Sequence, residues 1–421
     1  GGGTWAGDDS NYNVGIGNSV MDAAMNGALG NVAIGYDALG SLTEGDYNTV
    51  VGNDAGDSIT TGIGSVILGS GAGNGTEDVD NAVIIGRGAA QGVMTSGADG
   101  TIAIGYASLN ALTSGTQNMA IGYNALSSAT DGSRNMAIGY TAMVDNDSGA
   151  LQDNVSIGHY SMSHASSGAG QAQTNVAVGN YTMTGQFVDA TRYNTAIGHS
   201  ALRSNAGGKE NTCVGADAGY AVTTGNYNTI LGRNAGNYGT LLVDGNDNVI
   251  IGAYSHTSAT DTLRAVVLGY NVEGLQDYTT LGYGASEIRA AHGTATWATV
   301  SDKRFKKNIE TSTAGLNFVN DLRPITYNWR SKGEIPEWSE SYEEGSEEQY
   351  RNDGHNHGFV AQEVKATIDS HPEIKDGFSM WVEHEELGGQ QEVGETALIP
   401  VLVKAIQELS QQVEDLKAKI K

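Results

Sequence analysis

Cysteine occurs once in 421 residues, as Cys213. An internal disulfide framework is therefore excluded. Proline occurs four times, and Pro324, Pro336, Pro372 and Pro400 all lie beyond residue 300. Basic residues are scarce, 22 Lys and Arg against 48 Asp and Glu, for a formal net charge of −26. Without a basic block, nucleic acid is not expected as a partner. No run of about 18 apolar residues occurs, so no membrane-spanning helix and no membrane insertion is expected. The chain starts Gly1-Gly2-Gly3, with neither an initiator Met nor a signal pattern, as expected of a fragment or a processed product.

Glycine is what the chain has in excess. Of 60 glycines, 51 precede residue 301, without the Gly-X-Y period of collagen. The formal charge is −17 before that point and −9 after it. Two regions built by different rules are expected.

The first region repeats. Its unit reads Asn-x-small-aliphatic-Gly, as in Asn31-Val32-Ala33-Ile34-Gly35 and Asn118-Met119-Ala120-Ile121-Gly122. Sixteen copies run from Gly17 to Gly282, most often 17 residues apart. The residue before each glycine is Ile, Val or Leu, and the residue four before it is Asn in eleven copies. Apolar runs this short, bounded by Gly, Asn, Asp and Ser, predict strands too short to stand alone that stack as solenoid rungs. Val32 and Ile34 then face one way and Ala33 the other. Both faces are apolar in most copies, which predicts one lining the solenoid and one packing against another chain. The glycine is expected to supply a positive φ or a close backbone approach, and the Asn to form a ladder or cap a turn. At about 4.8 Å per rung the stack would run roughly 75 Å. The longest insertions, 161–174 and 183–193, hold His164, Phe187 and Arg192. They read either as candidate binding loops or as length variation in a spacer.

The repeats resemble the head repeats of YadA-like trimeric autotransporter adhesins and related repeats of phage tail fibres, over about residues 13–285. That resemblance implies a left-handed parallel β-roll assembled as a homotrimer. Residues 1–12 would be a lead-in and 286–300 a linker.

Beyond the linker come Ser301-Asp302-Lys303-Arg304-Phe305-Lys306-Lys307-Asn308-Ile309, then Pro324-Ile325-Thr326-Tyr327-Asn328-Trp329, then His357-Gly358-Phe359-Val360-Ala361-Gln362-Glu363-Val364, and a heptad helix at 396–421. This ordered set resembles the C-terminal intramolecular chaperone of phage endosialidases and tail fibres, over residues 301–421. The resemblance implies an α+β domain that trimerises, assists folding of the upstream fibre and releases itself by autoproteolysis. Ser301 and Lys306 match the family's Ser/Lys dyad, with cleavage implied at or beside Ser301, best at Ser301–Asp302. A lysine is a base only when deprotonated, which burial or a neighbouring cation favours. Lys303 and Lys307 are such neighbours or ordinary solvated charges. His357 reads as structural or as support for the site. His355, His357 and His384 lack metal-ligand spacing, and neither metal nor cofactor is expected. The acidic run 334–348, with Trp338, reads as a solvated insertion.

In the terminal helix Ile399, Ile406, Val413 and Ile420 recur every seven residues, with Leu402, Leu409 and Leu416 between them. β-branched residues at a with Leu at d favour two strands, whereas the resemblance implies three. Three is preferred, because the seam is short and the preceding fold can impose the count.

The fold expected is thus mainly β, a homotrimeric β-solenoid of about sixteen repeats followed by an α+β chaperone domain ending in a coiled-coil helix. The function expected is that of a virion tail fibre that recognises a host surface. Its partners would be its own copies, a host receptor (a glycan or an outer-membrane component) and other tail proteins reached through an upstream attachment. A catalytic tailspike would need paired carboxylates in a groove, whereas Asp244, Asp247, Asp261 and Glu273 fall in turn positions of different repeats. A bacterial adhesin would need a stalk and a membrane barrel. The segment 244–248 reads as a polar turn or a calcium loop. The acidic shaft disfavours a dense polyanion as receptor, unless divalent cations bridge it.

Overall fold

A computed structural model describes residues 10–144, 151–163, 172–187, 191–294, 301–339, 341–374, 378–385 and 389–420. His164, residues 1–9 of the lead-in and 295–300 of the linker lie outside the described residues. The chain divides into two compact units, Gly1–Val300 and Ser301–Lys421.

In the first unit the Asn-x-small-aliphatic-Gly copies are short strands such as Val32–Ile34, Thr49–Val51 and Val66–Leu68. They pair in parallel and in register, Val32 with Thr49, Ala33 with Val50 and Ile34 with Val51. Repetition of that pairing builds a 17-stranded sheet, mainly parallel, so the fold is a β-solenoid. Its last strand, Ser286–Ala291, turns back antiparallel on Tyr278–Tyr283. Residues 286–291, expected as linker, are thus a strand that covers the final rung; their alternation was too short to stand out from a connecting segment.

From Val32–Ile34 onward the central residue of each repeat strand points into the solenoid, and Ala33, Val50, Ile67 and Ile84 are fully buried. Its neighbours form an outward apolar row, with Ile16 59%, Ile34 36%, Ile197 40% and Ile251 37% exposed. Leu39, Leu109, Leu126, Met143, Met183 and Leu202, four residues past the repeat glycine, complete the interior. Each of them has a positive φ. That conformation costs an ordinary residue about 1–2 kcal/mol, and it turns these side chains inward. The backbone N–H groups then meet the next rung, as when Leu126 N donates to Ala142 O at 2.9 Å.

The glycines are required by contact as well as by φ. At Gly122 φ is +139°, and a Cβ placed there would lie within 2.2 Å of the Gly139 carbonyl oxygen on the next rung. The Asn side chains form a buried ladder. Asn154 N and Nδ2 both donate to Asn135 Oδ1, at 3.2 and 3.0 Å. Nδ2 also donates to Ala172 O at 2.8 Å. Every polar atom of the amide is thereby used, which burial demands. Ser65 stands in for Asn in one rung, accepting from Ala82 N and donating to Val79 O.

The second unit packs Ala314, Phe318, Val364, Ile368, Met380, Leu398 and Val401 into one core. Helices α1 (Leu316–Asp321), α2 (Ala361–Ser370) and α3 (Leu398–Ile420) surround it. Two antiparallel strand pairs complete the unit, Ile325–Tyr327 with Asn356–Gly358 and Trp381–His384 with Gln390–Val393. Helix α3 carries two apolar stripes. Leu398, Val401 and Ala405 are buried against the core, whereas the heptad stripe is exposed, Ile399 59%, Ile406 66%, Leu416 58% and Ile420 84%.

Candidate functional site

The chain makes one tight turn directly after Ser301. Asp302 caps the short 3-10 helix Lys303–Phe305, its carboxylate accepting from Arg304 N at 2.8 Å. The Arg304 guanidinium returns along the same carboxylate, with Nη2 to Oδ2 at 2.6 Å. These bonds hold Asp302 below the usual carboxylate range. Lys306 closes the turn, its N–H donating to Lys303 O at 3.1 Å. The turn brings the Lys306 side chain back to Ser301, and Nζ donates to Ser301 Oγ at 2.7 Å. Activation of the serine requires the reverse bond, with Oγ–H donating to a neutral Nζ. Both residues are exposed in the single chain, as are Lys303 and Lys307. Phe305 and Ile309 beside them are 78% and 59% exposed.

His357 is not joined to this pair by any hydrogen bond among the described residues. It is exposed in the strand Asn356–Gly358, opposite Thr326. His384 lies on the other strand pair, 3.4 Å from Glu392. The histidine that structures the unit is His371, which the sequence reading passed over. Its Nδ1 meets Glu373 and its Nε2 meets Asp321 at the end of α1, both at 2.9 Å. Its ring stands edge-on to Phe318. The hydrogen bonds to Glu373 and then Asp321 raise its pKa above the ordinary value. A second clamp joins α3 to α1, where Glu408 Oε2 accepts from Leu316 N at 2.8 Å. Leu316 opens α1 with Gly315 as its cap, which supplies no side-chain acceptor, so the Glu408 carboxylate meets the orphan donor. That bond holds Glu408 below its ordinary pKa.

Other candidates resolve as structure. Phe187, in an insertion read either as a candidate binding loop or as length variation in a spacer, is 1% exposed and belongs to the solenoid core. An insertion long enough to fold back on the rung can fill it, and sequence length alone does not reveal this. Arg192 is exposed and lies 5.9 Å from the Tyr193 ring. In the segment 244–248, Asn246 Oδ1 accepts from Asn226 N and Nδ2, and Asn248 belongs to the buried ladder. Those amides are occupied as a polar turn requires. Burial pushes the Cys213 thiol up to about 12, which leaves it unreactive. The described residues of the acidic run, 334–339 and 341–348, form turns, bends and irregular backbone, with Lys332 tied to Glu348 at 2.6 Å.

Residues 301–371 match the family model described as chaperone of endosialidase. Ser301 is the first residue matched. No curated protein matches the chain, and no solved structure matches it.

Proposed function

We propose that this chain forms a homotrimeric virion tail fibre and that its C-terminal unit is an intramolecular, self-cleaving chaperone. The observation that carries the reading is the 2.7 Å contact of Lys306 with Ser301 at the first residue of the chaperone match. Ser301 Oγ attacks the scissile carbonyl carbon as the unprotonated Lys306 amine takes its proton; that proton passes to the departing Asp302 amine, and water hydrolyses the ester so formed and restores the hydroxyl. The net reaction is hydrolysis of the Ser301–Asp302 bond. Water supplies the new carboxyl on Ser301 and the new amine on Asp302. The pair is exposed in one chain, so assembly supplies the burial that favours a neutral lysine.

The unpaired heptad stripe of α3 and the outward apolar row of the solenoid support assembly with further copies. Isolated apolar side chains are ordinary on a surface, whereas continuous rows mark an interface. The acidic, repetitive solenoid serves as shaft and as the surface that meets the host receptor.

Denaturing electrophoresis of wild type beside Ser301→Ala tests the cleavage. The wild type should yield a C-terminal product of about 12.5 kDa, scaling from 43.7 kDa for 421 residues. Ser301→Ala and Lys306→Met should not. Equal fragments from all three would overturn the dyad. Sedimentation of the full Ser301→Ala chain should give three copies, and a dimer would overturn the trimer.

A further inference from the structure

The turn following each repeat glycine presents three columns of residues along the solenoid. For the glycines Gly69, Gly86 and Gly105, the first column reads Ser70, Arg87, Tyr106, the second Gly71, Gly88, Ala107, and the third, five residues past the glycine, Asn74, Gln91, Asn110. The second column holds Asp37 and Asp54 before these rungs and Asn124, Thr141, Tyr160 and Tyr181 after them. Only here do three successive rungs lack a large side chain at that position, and a groove of about 310 Å³ opens over them. Asp54, from the preceding rung, and Tyr106 line it as well.

The lining is polar and of a particular kind. Three amides line it, Asn74, Gln91 and Asn110; Asn74 Nδ2 donates to Asp57 Oδ2 and Gln91 Nε2 to Gly71 O, both at 3.4 Å, which leaves each a second N–H and a carbonyl oxygen for a ligand. The lining also offers the Ser70 hydroxyl and the exposed Arg87 guanidinium. Arg87 forms no ion pair among the described residues; its Cζ lies 5.9 Å from the Tyr106 ring centroid. Tyr106 is held in place by stacking on Tyr123, 4.9 Å between centroids, and Tyr123 stacks in turn on Tyr140 at 5.1 Å. The aromatic column thus ends at the groove as a rigid wall. One carboxylate and one guanidinium cancel, so the groove is neutral within a unit whose net charge is strongly negative. Its size sits at the lower end of small-molecule sites, about 300–1,000 Å³. Alternating donors and acceptors with one aromatic wall suit vicinal hydroxyls on a compact ring, and suit neither a lipid nor a polyanion.

We propose that this groove binds one neutral hexose unit of a surface glycan. The proposal rests on the reading of the chain as a recognition fibre and deepens it by naming the ligand class and the rungs that take it.

The test uses the full chain and saturation-transfer NMR with methyl α-glucoside, methyl α-galactoside, methyl α-mannoside and a methyl sialoside. At least one neutral hexoside should bind saturably. Gly88→Asn should weaken it at least tenfold by filling the floor. Asn is tolerated there because Asn124 and Asn234 hold the same positive-φ position in other rungs, and an unchanged melting curve would verify the fold. Arg87→Gln should weaken binding severalfold, and Ser200→Asn, at the equivalent position far along the solenoid, should leave it unchanged. Absence of saturable hexoside binding, binding of the sialoside alone, or binding indifferent to Gly88→Asn would each overturn the site. Retained binding of the Gly88→Asn fibre to bacterial envelopes would remove the groove and leave the recognition reading standing. A wild-type fibre that binds none of a panel of envelopes would remove the recognition reading itself.

Discussion

In the solenoid the side-chain bonds that define the structure join residues 14 to 21 apart, one rung to the next. In residues 301–421 the defining bonds join residues 40, 50 and 92 apart, Arg323 with Glu363, His371 with Asp321, and Leu316 with Glu408. The first unit repeats one solution, so each part must fit its own copy above and below. The second is a set of single solutions, each used once. A fault in the solenoid therefore strikes a position already committed on both sides. A fault in the C-terminal unit removes one clamp and leaves the rest of the core in place.

The largest effect that would sharpen this contrast is expected at Gly122→Ala. The new Cβ meets the Gly139 carbonyl and a φ that alanine rarely adopts, which should cost about 3 kcal/mol or more. In a Trp5→Phe, Trp297→Phe background, which leaves Trp329, Trp338 and Trp381 as the fluorophores, far-UV circular dichroism should show early loss of strand signal while the fluorescence keeps its wild-type transition. A joint shift of both signals would break the comparison.

Asn194→Ala comes next. It leaves Asn211 N and Nδ2 without their acceptor and Gly208 O and Asn175 Oδ1 each short of a donor. An unsatisfied buried group costs about 1–3 kcal/mol. Asn194→Ser should cost less, since Ser65 already performs the role in its own rung. Equal losses in chemical denaturation would show that the ladder depends on shape and not on hydrogen bonding.

The smallest effects are expected in the C-terminal unit, and they depend on pH with opposite signs. The folded pKa of His371 is raised by its bonds to Glu373 and Asp321. Its contribution is fully present below the unfolded value near 6.5 and is lost as pH rises through the folded value. His371→Asn should therefore narrow its stability deficit between pH 5.5 and pH 8.5. Glu408 is lowered, chiefly by the Leu316 N–H. Its contribution is present above the unfolded carboxylate value near 4.5 and is lost as pH falls through the folded one. Glu408→Gln should differ from wild type at pH 7 and approach it at pH 3. Thermal melts followed by tryptophan fluorescence check both, and a pH-independent deficit in either variant would reject the corresponding clamp.

Much of the solenoid was legible because its signal recurs. Sixteen copies of a five-residue core placed the strands, predicted the glycine φ and anticipated a possible Asn ladder. The positive φ of ordinary residues such as Leu126 and Met143 was not legible. Nothing in a leucine announces a left-handed backbone, and only the hydrogen bond to the next rung makes it tolerable. Phe187 was misplaced for a related reason, since an insertion read alone looks like a loop until it is folded over a core. In the C-terminal unit the heptad stripe of α3 was visible, whereas the second stripe, Leu398, Val401 and Ala405, was masked by it. Ser301 and Lys306 were found by resemblance; their contact depends on the Asp302–Arg304 turn.

The sequence by itself determined what is periodic: rung length, strand position, the faces of each strand, the absence of proline and the heptad stripe. Periodic features need only local rules, because each residue meets its equivalent in the next copy. The tertiary structure alone decided which residues meet across long intervals, the His371 and Glu408 clamps among them. It also decided where the periodicity relaxes enough to open a groove, at Gly71, Gly88 and Ala107. A missing side chain becomes a cavity only when its neighbours on adjacent rungs are missing too, and that coincidence exists in space.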